Sequence, residues 1–449
     1  MKKLFFLSKG AKCALGAVFL LIAFFSFSFS QEMESRQANN AVKISLENGL
    51  PLILAEDDSS ALTVLQILIK GGKRAEPSGK EGLAYLTTYL TLEITDMRQL
   101  QDLMSQASHI SMFCFEDYSL VIIICLTEHL DSTLEIMFQT FKDPLLSGMR
   151  INRVKDNMNF RRKFEEDDSV KVGHQKALDG FFGQSAYAGS VLGTEDSLKN
   201  IKKKDIENYY HNYFHAGGMI VSAVSNMKSP ELTEVLKKHF SSFPRQDVPP
   251  PASIQAGTPD NKTISQTKDT QLTFVSLAYP LPRISKRSYA LALLLENYLG
   301  RGIGSMLWPL RSEKNLAYNV NAFSTQLQEG GFFEAYLETE PPKKEEALKE
   351  LKAVLEGVFA NGMTEEDLAV AKINSRFHFL RDNETKENRA HYLAEFEALG
   401  LGFNFLEKLL SEIEAVTVDE MNTYLKQILD PEKGIKITIG PDADLPAER

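Results

Sequence analysis

The order of predicted elements is the feature that most limits what this chain can fold into, because it occurs twice. A Pro-rich stretch at residues 242–262, with Pro249, Pro250 and Pro251, interrupts the patterned sequence and has the composition of an extended linker. On each side of it, the pattern predicts a strand, a helix, a hairpin, further helices and a closing strand. A repeated plan of this kind predicts two homologous halves.

Apolar periodicity gives the predicted bounds of these elements. In the first half, strands are predicted at residues 62–70, 110–115, 119–126 and 219–224, and helices at 82–92, 127–141, 149–164 and 203–214. In the second half, strands are predicted at residues 272–279, 319–326, 331–339 and 435–439, and helices at 288–299, 342–359, 365–379 and 418–428.

These elements predict an α+β fold of two homologous halves, each an antiparallel sheet covered by helices on one side, related by internal duplication and enclosing a cleft. A single α+β roll without duplication would have a similar element order. Short similarities favour duplication, such as DIENYY at residues 205–210 against DEMNTY at 419–424.

The first thirty residues have the composition of a signal peptide. Four lysines precede an uncharged apolar run at residues 14–29, and small Ser28 and Ser30 come just before a cleavage point at Gln31. We therefore expect an exported, periplasmic protein. The alternative is an uncleaved membrane anchor, since the run is close to the ~20 residues that span a bilayer.

With the leader at residues 1–30 and the linker at 242–262, the predicted domains are residues 31–241 and 263–449. The 449 residues carry a formal net charge of -10 and no long basic block, which excludes nucleic acid as a partner. Cys114 and Cys125 lie at unequal distances from a turn at residues 116–117, so no disulfide is expected between them.

Several short runs carry a resemblance to a known family. They are NGL at residues 48–50, GGKRAEP at 71–77, GLA at 82–84, FG at 182–183, GT at 193–194, GRGIGS at 300–305 and LRSEKNLAY at 310–318. In this order and spacing they resemble the pitrilysin/insulinase zinc metallopeptidases, whose reversed metal motif is His-x-x-Glu-His. The resemblance covers nearly the whole chain after the leader.

The metal motif of that family should follow residues 82–84 directly, and here it is degenerate. Its two histidine positions fall on Tyr85 and Tyr89, and its glutamate falls on Thr88. A catalytic zinc needs about three protein ligands, an open water site and a base. Neutral tyrosines are poor ligands and threonine is no base at neutral pH. We therefore expect no zinc and no catalysis by this chain alone.

The resemblance also implies a third metal ligand, a glutamate on the helix after the hairpin. That position aligns near Asn159, with Glu165 and Glu166 as alternatives. One carboxylate without two imidazoles would not hold zinc tightly.

The second half keeps what looks like the family's substrate-binding pair. Arg311 and Tyr318 match an arginine and a tyrosine that hydrogen-bond the peptide near the scissile carbonyl. The resemblance to two-chain members such as mitochondrial processing peptidase implies a heterodimer, in which a homologous partner subunit holds the zinc. The alternative is that Arg311, at a helix end, and Tyr318, on a strand, only contribute to packing.

The leading hypothesis is a non-catalytic, substrate-binding subunit of a zinc metallopeptidase that acts on peptides or unfolded segments. An extended peptide would add to a sheet edge. One alternative is a stand-alone peptide-binding or scaffold protein with no proteolytic role. Another is an independent hydrolase, although no Ser/His/Asp or Cys/His arrangement is visible in the sequence.

Two further patterns carry weaker interpretations. Glu207, His211 and His215 follow one another at helical spacing, which could align metal ligands or simply form a solvated helix face. The glycines of residues 300–304 lack the preceding strand of a dinucleotide site, so a flexible or tight turn near the cleft is expected. We expect the nearby Trp308 and its leucine neighbours to lie in the core.

Overall fold

The computed structural model describes residues 41–183, 185–250, 254, 257 and 261–441. The predicted signal peptide and part of the predicted linker lie outside these ranges. Of the helices within them, none combines the length and the apolar run that a bilayer span requires.

The bounds of the described elements follow. The strands are β1 Val42–Ser45, β2 Pro51–Glu56, β3 Leu62–Lys70, β4 His109–Cys114, β5 Tyr118–Leu126, β6 Met219–Ser225, β7 Lys262–Thr267, β8 Thr273–Leu281, β9 Asn319–Leu327, β10 Gly330–Thr339 and β11 Ile435–Gly440. The helices are α1 Leu83–Leu92, α2 Met97–Ser105, α3 Leu130–Lys142, α4 Gly148–Glu166, α5 Ser169–Phe182, α6 Glu195–Asn200, α7 Lys203–Tyr213, α8 Ser229–Phe240, α9 Lys286–Leu299, α10 Trp308–Ser312, α11 Lys344–Asn361, α12 Glu365–Asp382, α13 Lys386–Ala398, α14 Phe405–Glu414 and α15 Val418–Ile428.

The strands form two sheets with the same plan. The first has the order β1-β2-β6-β3-β5-β4 and the second the order β7-β11-β8-β10-β9, so the two orders correspond once β1 is set aside. The predicted α+β fold of two duplicated halves is confirmed. Each sheet also holds one parallel pair, β2 with β6 and β7 with β11. The closing strand of each half, β6 or β11, lies between two strands that run antiparallel to each other, so it must run parallel to one of them.

Helix caps show the duplication residue by residue. Ser147 caps α4 and Thr364 caps α12, while Asp168 caps α5 and Thr385 caps α13, and both pairs have the same separation in sequence. The same separation relates the buried residues of α4 to those of α12, namely Ile151, Val154 and Met158 to Leu368, Ala371 and Ser375.

Each sheet is buried on both faces, not on one side as the sequence predicted. One face packs on helices of its own half, and the other is covered by a helix from the opposite half. Helix α13 lies on β3 and β6 of the first sheet, and α5 lies on β8, β10 and β11 of the second. The halves therefore exchange one helix each and share two apolar core clusters, each built from residues of both halves.

Polar contacts anchor the exchanged helix α13. The Nζ of Lys386 donates hydrogen bonds of 2.8 Å to the carbonyl oxygens of Asp57, Ser60 and Leu62 in the first half. The guanidinium of Arg389 pairs with the Asp57 carboxylate. Lys386 and Arg389 are both buried. Since buried charges are stable only when paired and hydrogen-bonded, these contacts fix the position of α13 against the first sheet.

The predicted linker is partly packed. Phe243 lies in the core of the first half, and Ile254 is buried in the cluster under α5. Cys114 and Cys125 are buried free thiols, and they pair in register with Ser119 and Thr63.

The exchange of α5 gives a stability prediction. A Cβ placed on Gly173 of α5 would lie 2.1 Å from Cε1 of Phe274 in β8, so Gly173→Ala should lower the free energy of unfolding by about 1–3 kcal/mol. Gly357→Ala on α11, where nothing lies within 4 Å of the new Cβ, should raise it by up to about 1 kcal/mol. Urea denaturation midpoints measure both changes, and equal shifts of the same sign would contradict the packing of α5.

Candidate functional site

Helix α1, which carries the degenerate motif, is held at its start by backbone geometry and one carboxylate. Gly82 has φ 96° at the N-cap, a conformation that favours glycine. The Glu76 carboxylate accepts hydrogen bonds from the backbone N–H groups of Gly82 and Ala84, at 3.1 and 2.7 Å. These bonds satisfy amides that a helix start leaves unpaired, and so fix the direction in which α1 presents its side chains.

Two of the three motif positions of α1, Tyr85 and Thr88, are buried, and the third, Tyr89, is half-buried. Tyr85 is buried, and its ring stacks on that of Tyr89 with 6.2 Å between centroids. Burial raises the pKa of Tyr85, with a smaller opposing effect of Arg161. The phenol therefore stays protonated at neutral pH and is no zinc ligand. Thr88 is fully buried, and its hydroxyl finds no partner in the part of the chain described.

A guanidinium approaches the first motif position from the neighbouring helix α4. Arg161 donates a hydrogen bond to the Tyr85 hydroxyl, and its guanidinium lies 5.5 Å from the centre of the Tyr85 ring. Asn159, which the resemblance placed near the third ligand, instead accepts a 2.9 Å hydrogen bond from Arg162. Among the acidic alternatives, Glu165 is close enough to affect the pKa of Tyr85.

The geometry shows why Arg161 and not Asn159 reaches the motif. Helices α1 and α4 run antiparallel, since Arg150 and Arg153 near the start of α4 pair with Glu93 at the end of α1. Arg161 lies two helical turns after Arg153 on α4, and Tyr85 lies two helical turns before Glu93 on α1. Because the helices are antiparallel, this equal spacing places Arg161 beside Tyr85. No sequence motif points to Arg161; the matched spacing of these charged partners is the signal that could have identified it.

These residues do not fit a zinc ion. The two imidazole positions are phenols, and a permanent cation lies against one of them, which would repel a metal ion. Across the described ranges, no three His, Cys, Asp or Glu side chains are grouped to hold a metal. Glu207, His211 and His215 do not share a helix face: α7 ends at Tyr213, and His215 is buried in the next turn, where its Nδ1 accepts from Gly218.

A cavity of about 520 Å³ lies beside this site, between the two halves. Its walls are formed by residues of both halves: Cys114 at the end of β4, Phe115 and Glu116 after it, Arg162 and Glu165 of α4, His174 of α5, and Gln266 and Lys268 of the second half. Strand β4 is at the edge of the first sheet. An edge strand has unpaired N–H and C=O groups, so this region offers main-chain hydrogen bonds to an extended chain.

Arg311 and Tyr318 lie in the second half, and neither of them lines this cavity. Arg311 is on α10 with its guanidinium 5.3 Å from the Trp308 ring centre, and Tyr318 directly precedes the edge strand β9. Tyr318 is 72% exposed. Among the described contacts, no hydrogen bond or ion pair holds the Arg311 guanidinium or the Tyr318 hydroxyl. Both groups are therefore available to a ligand.

The glycine loop at residues 300–305 makes a tight turn beside α10. Gly302 and Gly304 have φ of 91° and 92°, and a Cβ on Gly300 would lie 2.0 Å from the backbone nitrogen of Ala322 in β9. The expected core positions are confirmed for Leu307 and Leu310, which are buried. Trp308 is half-buried.

Two family models match the chain. The model described as insulinase (peptidase family M16) matches residues 52–195, and the model described as peptidase M16 inactive domain matches residues 200–375. The boundary between them falls before α7, within the first half.

Known proteins of similar length match most of the chain. A zinc protease, PqqE, of Helicobacter pylori is 24% identical over 365 residues, covering 79% of this chain and 82% of its own. A non-peptidase homolog, YmxG, of the same organism is 22% identical over 383 residues, covering 84% and 88%. The crystal structure of a protease from Helicobacter pylori has a TM-score of 0.82 at 22% identity, covering 90% and 100%. This last likeness shows the fold.

Rebuilding the metal motif tests the position of Arg161. Tyr85→His with Tyr89→His should bind Zn²⁺ weakly, because the guanidinium remains. Adding Arg161→Glu removes that charge and supplies a third ligand, so Zn²⁺ affinity should rise by about tenfold or more. Competition with a chelating dye measures it.

The matched control is Arg162→Glu in the same double variant, since Arg162 points toward the carbonyl of Gly193. An equal gain in Zn²⁺ affinity from Arg162→Glu would contradict the assignment of Arg161. Melting curves of each variant establish that it is folded.

Proposed function

Because the chain belongs to the M16 (insulinase) peptidase family, we propose that it is the non-catalytic, substrate-binding subunit of a heterodimeric zinc metallopeptidase. In this proposal a homologous partner chain supplies the zinc, the activated water and the general base. The substrates are peptides or unfolded segments. The observation that carries the proposal is that the metal position is filled by a tyrosine–arginine pair, while Arg311 and Tyr318 keep free polar groups.

Arg311 and Tyr318 have the chemistry to bind a peptide at its reacting carbonyl. A guanidinium and a phenol O–H both donate hydrogen bonds, and donors aimed at a developing oxyanion stabilise the transition state more than the ground state. In this proposal the metal-activated water that faces them comes from the partner chain. They are useful to catalysis when a zinc-bearing chain brings its own metal site opposite the second half.

The packing of the two halves also supports a second chain. The reciprocal exchange of α5 and α13 holds the degenerate site and the Arg311 region in fixed positions. A movement that brought them together would break the shared core and the buried contacts of Lys386. The chamber that admits the peptide would therefore lie between this chain and its partner.

The compartment in this proposal is the periplasm, on the basis of the N-terminal leader. One relative is named a non-peptidase homolog, and another of the same organism is named a zinc protease. These names are compatible with a family in which some chains are catalytic and others are not.

Co-purification followed by peptide cleavage tests the proposal. The tagged full chain, isolated from native extract, should bring down a chain with an intact His-x-x-Glu-His motif, and the pair should cleave peptides in a zinc-dependent way. In that complex Arg311→Ala should lower kcat/KM by about 100-fold, because a transition-state donor is lost. Tyr318→Phe should lower it by a smaller factor.

Arg98→Ala is the matched control, since Arg98 is an exposed arginine on α2 in the other half, and it should leave kcat/KM unchanged. Cleavage by the isolated, metal-free chain would overturn the proposal. Recovery of a lone, stable homodimer would favour the stand-alone peptide-binding protein instead.

A further inference from the structure

The cavity of about 520 Å³ beside β4 has no assigned ligand in the proposed function. Its volume lies within the range of roughly 300–1,000 Å³ that ligand sites in proteins have. Apolar and cationic side chains share its walls: the apolar ones are Phe115, Val172 and Val191, and the cationic ones are Arg162, Lys171, Lys176 and Lys268. Walls of this kind match a ligand that has an apolar part and an anionic group.

Strand β4 directs main-chain groups toward the open side of this cavity. The N–H of Phe115 donates a hydrogen bond to the carbonyl oxygen of Tyr118 on β5. Because hydrogen bonding alternates along an antiparallel pair, the main-chain groups of Met112 and Cys114 point away from β5. They lie at the edge of the described sheet, and Cys114 also lines the cavity. An extended chain that pairs with Cys114 therefore lies at the mouth of the cavity.

Three lysines of the wall have charge to offer a ligand. Among the described contacts, no hydrogen bond or ion pair holds the ammonium group of Lys171 or of Lys176, which both lie on α5. The ammonium group of Lys268 lies 3.7 Å from a carboxylate oxygen of Asp167, whose side chain is 82% exposed. A long ion pair of this kind, open to water, holds its partners weakly. These lysines can therefore pair with an anion that enters from solvent.

The acidic side chains of the wall are compensated within the chain. Glu166 has a carboxylate oxygen 3.5 Å from Nε of Arg162. Glu165 follows Arg161 by one helical turn, a spacing at which opposite charges attract. Burial raises the pKa of Glu116, which reduces the ionised fraction of this carboxyl. The cavity is therefore positive in character, although the whole chain has a formal net charge of -10.

We propose that this cavity binds a carboxylate of an extended peptide segment, supplied by an acidic side chain or by the C-terminus. This site rests on the proposed function and deepens it, because it names the class of segment that the subunit selects. The peptide main chain pairs with β4 at Cys114, and the carboxylate pairs with Lys171 and Lys176. Arg311 and Tyr318 bind main-chain groups of any sequence, so the lysines supply the selectivity.

Peptide binding to the full chain, measured by fluorescence anisotropy, tests the carboxylate site. Three labelled peptides are compared: a glutamate peptide with an amidated C-terminus, its amidated glutamine counterpart, and the glutamine peptide with a free C-terminal carboxylate. Lys171→Gln with Lys176→Gln should weaken a carboxylate-bearing peptide about fivefold, because two partly exposed ion pairs are lost. The amidated glutamine peptide should bind the variant as it binds the wild type.

The peptide that loses affinity identifies the source of the carboxylate. A loss for the glutamate peptide assigns the site to an acidic side chain, and a loss for the free-carboxylate peptide assigns it to the C-terminus. Lys408→Gln with Lys426→Gln is the matched control, since it removes the same charge from exposed positions of α14 and α15. An equal loss from this control, or equal wild-type affinity for all three peptides, would overturn the site. If the first variant fails to fold, Lys268→Gln replaces it.

Arg311→Ala with Tyr318→Phe separates this site from the proposed function, because it should weaken all three peptides alike. If it does so while the variant of Lys171 and Lys176 binds every peptide as the wild type does, the carboxylate site is wrong and the proposed function stands. If the wild type binds none of the three peptides, both are wrong.

Discussion

The structure depends on the exchange of one helix between the two halves. Helix α13 closes the open face of the first sheet and α5 closes that of the second, so neither half buries its sheet alone. Polar contacts fix the exchange in both directions: Lys386 binds three carbonyls of the first half, and Nδ1 of His174 on α5 lies 3.2 Å from Oε2 of the buried Glu334 of β10. Because the central strands β3, β6 and β8 are buried on both faces, the halves behave as one packed body.

This rigidity determines where chemistry can take place. The degenerate motif on α1 and the exposed Arg311 and Tyr318 lie in different halves, and the shared core prevents one half from closing on the other. A protein built this way binds a ligand on separate surfaces. A two-chain enzyme uses these surfaces by placing a second chain opposite them, with no need for a hinge inside the subunit.

The former metal position shows how a catalytic site can be replaced by a structural one. A metal site needs neutral imidazoles and carboxylates around an open, wet position. Here a buried phenol, a stacked tyrosine and a guanidinium satisfy one another. The positive charge of Arg161 is held by hydrogen bonding and by the face of the Tyr85 ring, so side-chain contacts occupy the position where the family motif would place metal ligands.

The sequence by itself determined the α+β class, the duplication and the loss of the metal motif. These follow from local patterns: the strand at Leu62–Lys70 and the helix at Val418–Ile428 were predicted to the residue, and residue type alone excludes Tyr85 as a zinc ligand. The tertiary structure decided the rest. The sequence pattern did not predict α5 and α13, and the tertiary structure places each of them on the sheet of the other half. Which of the two sheets a helix covers depends on packing between residues that are distant in the chain, so a local pattern does not determine it.

The tertiary structure also decided which turn of α4 faces the motif. Helical spacing leaves both Asn159 and Arg161 possible, and only the antiparallel packing of α1 against α4 selects Arg161. In the same way, the apolar residues of α12 occur on two faces, and a sequence pattern cannot tell which is buried. The contact with α9 assigns burial to Leu368, and Phe377 on the other face is left in solvent.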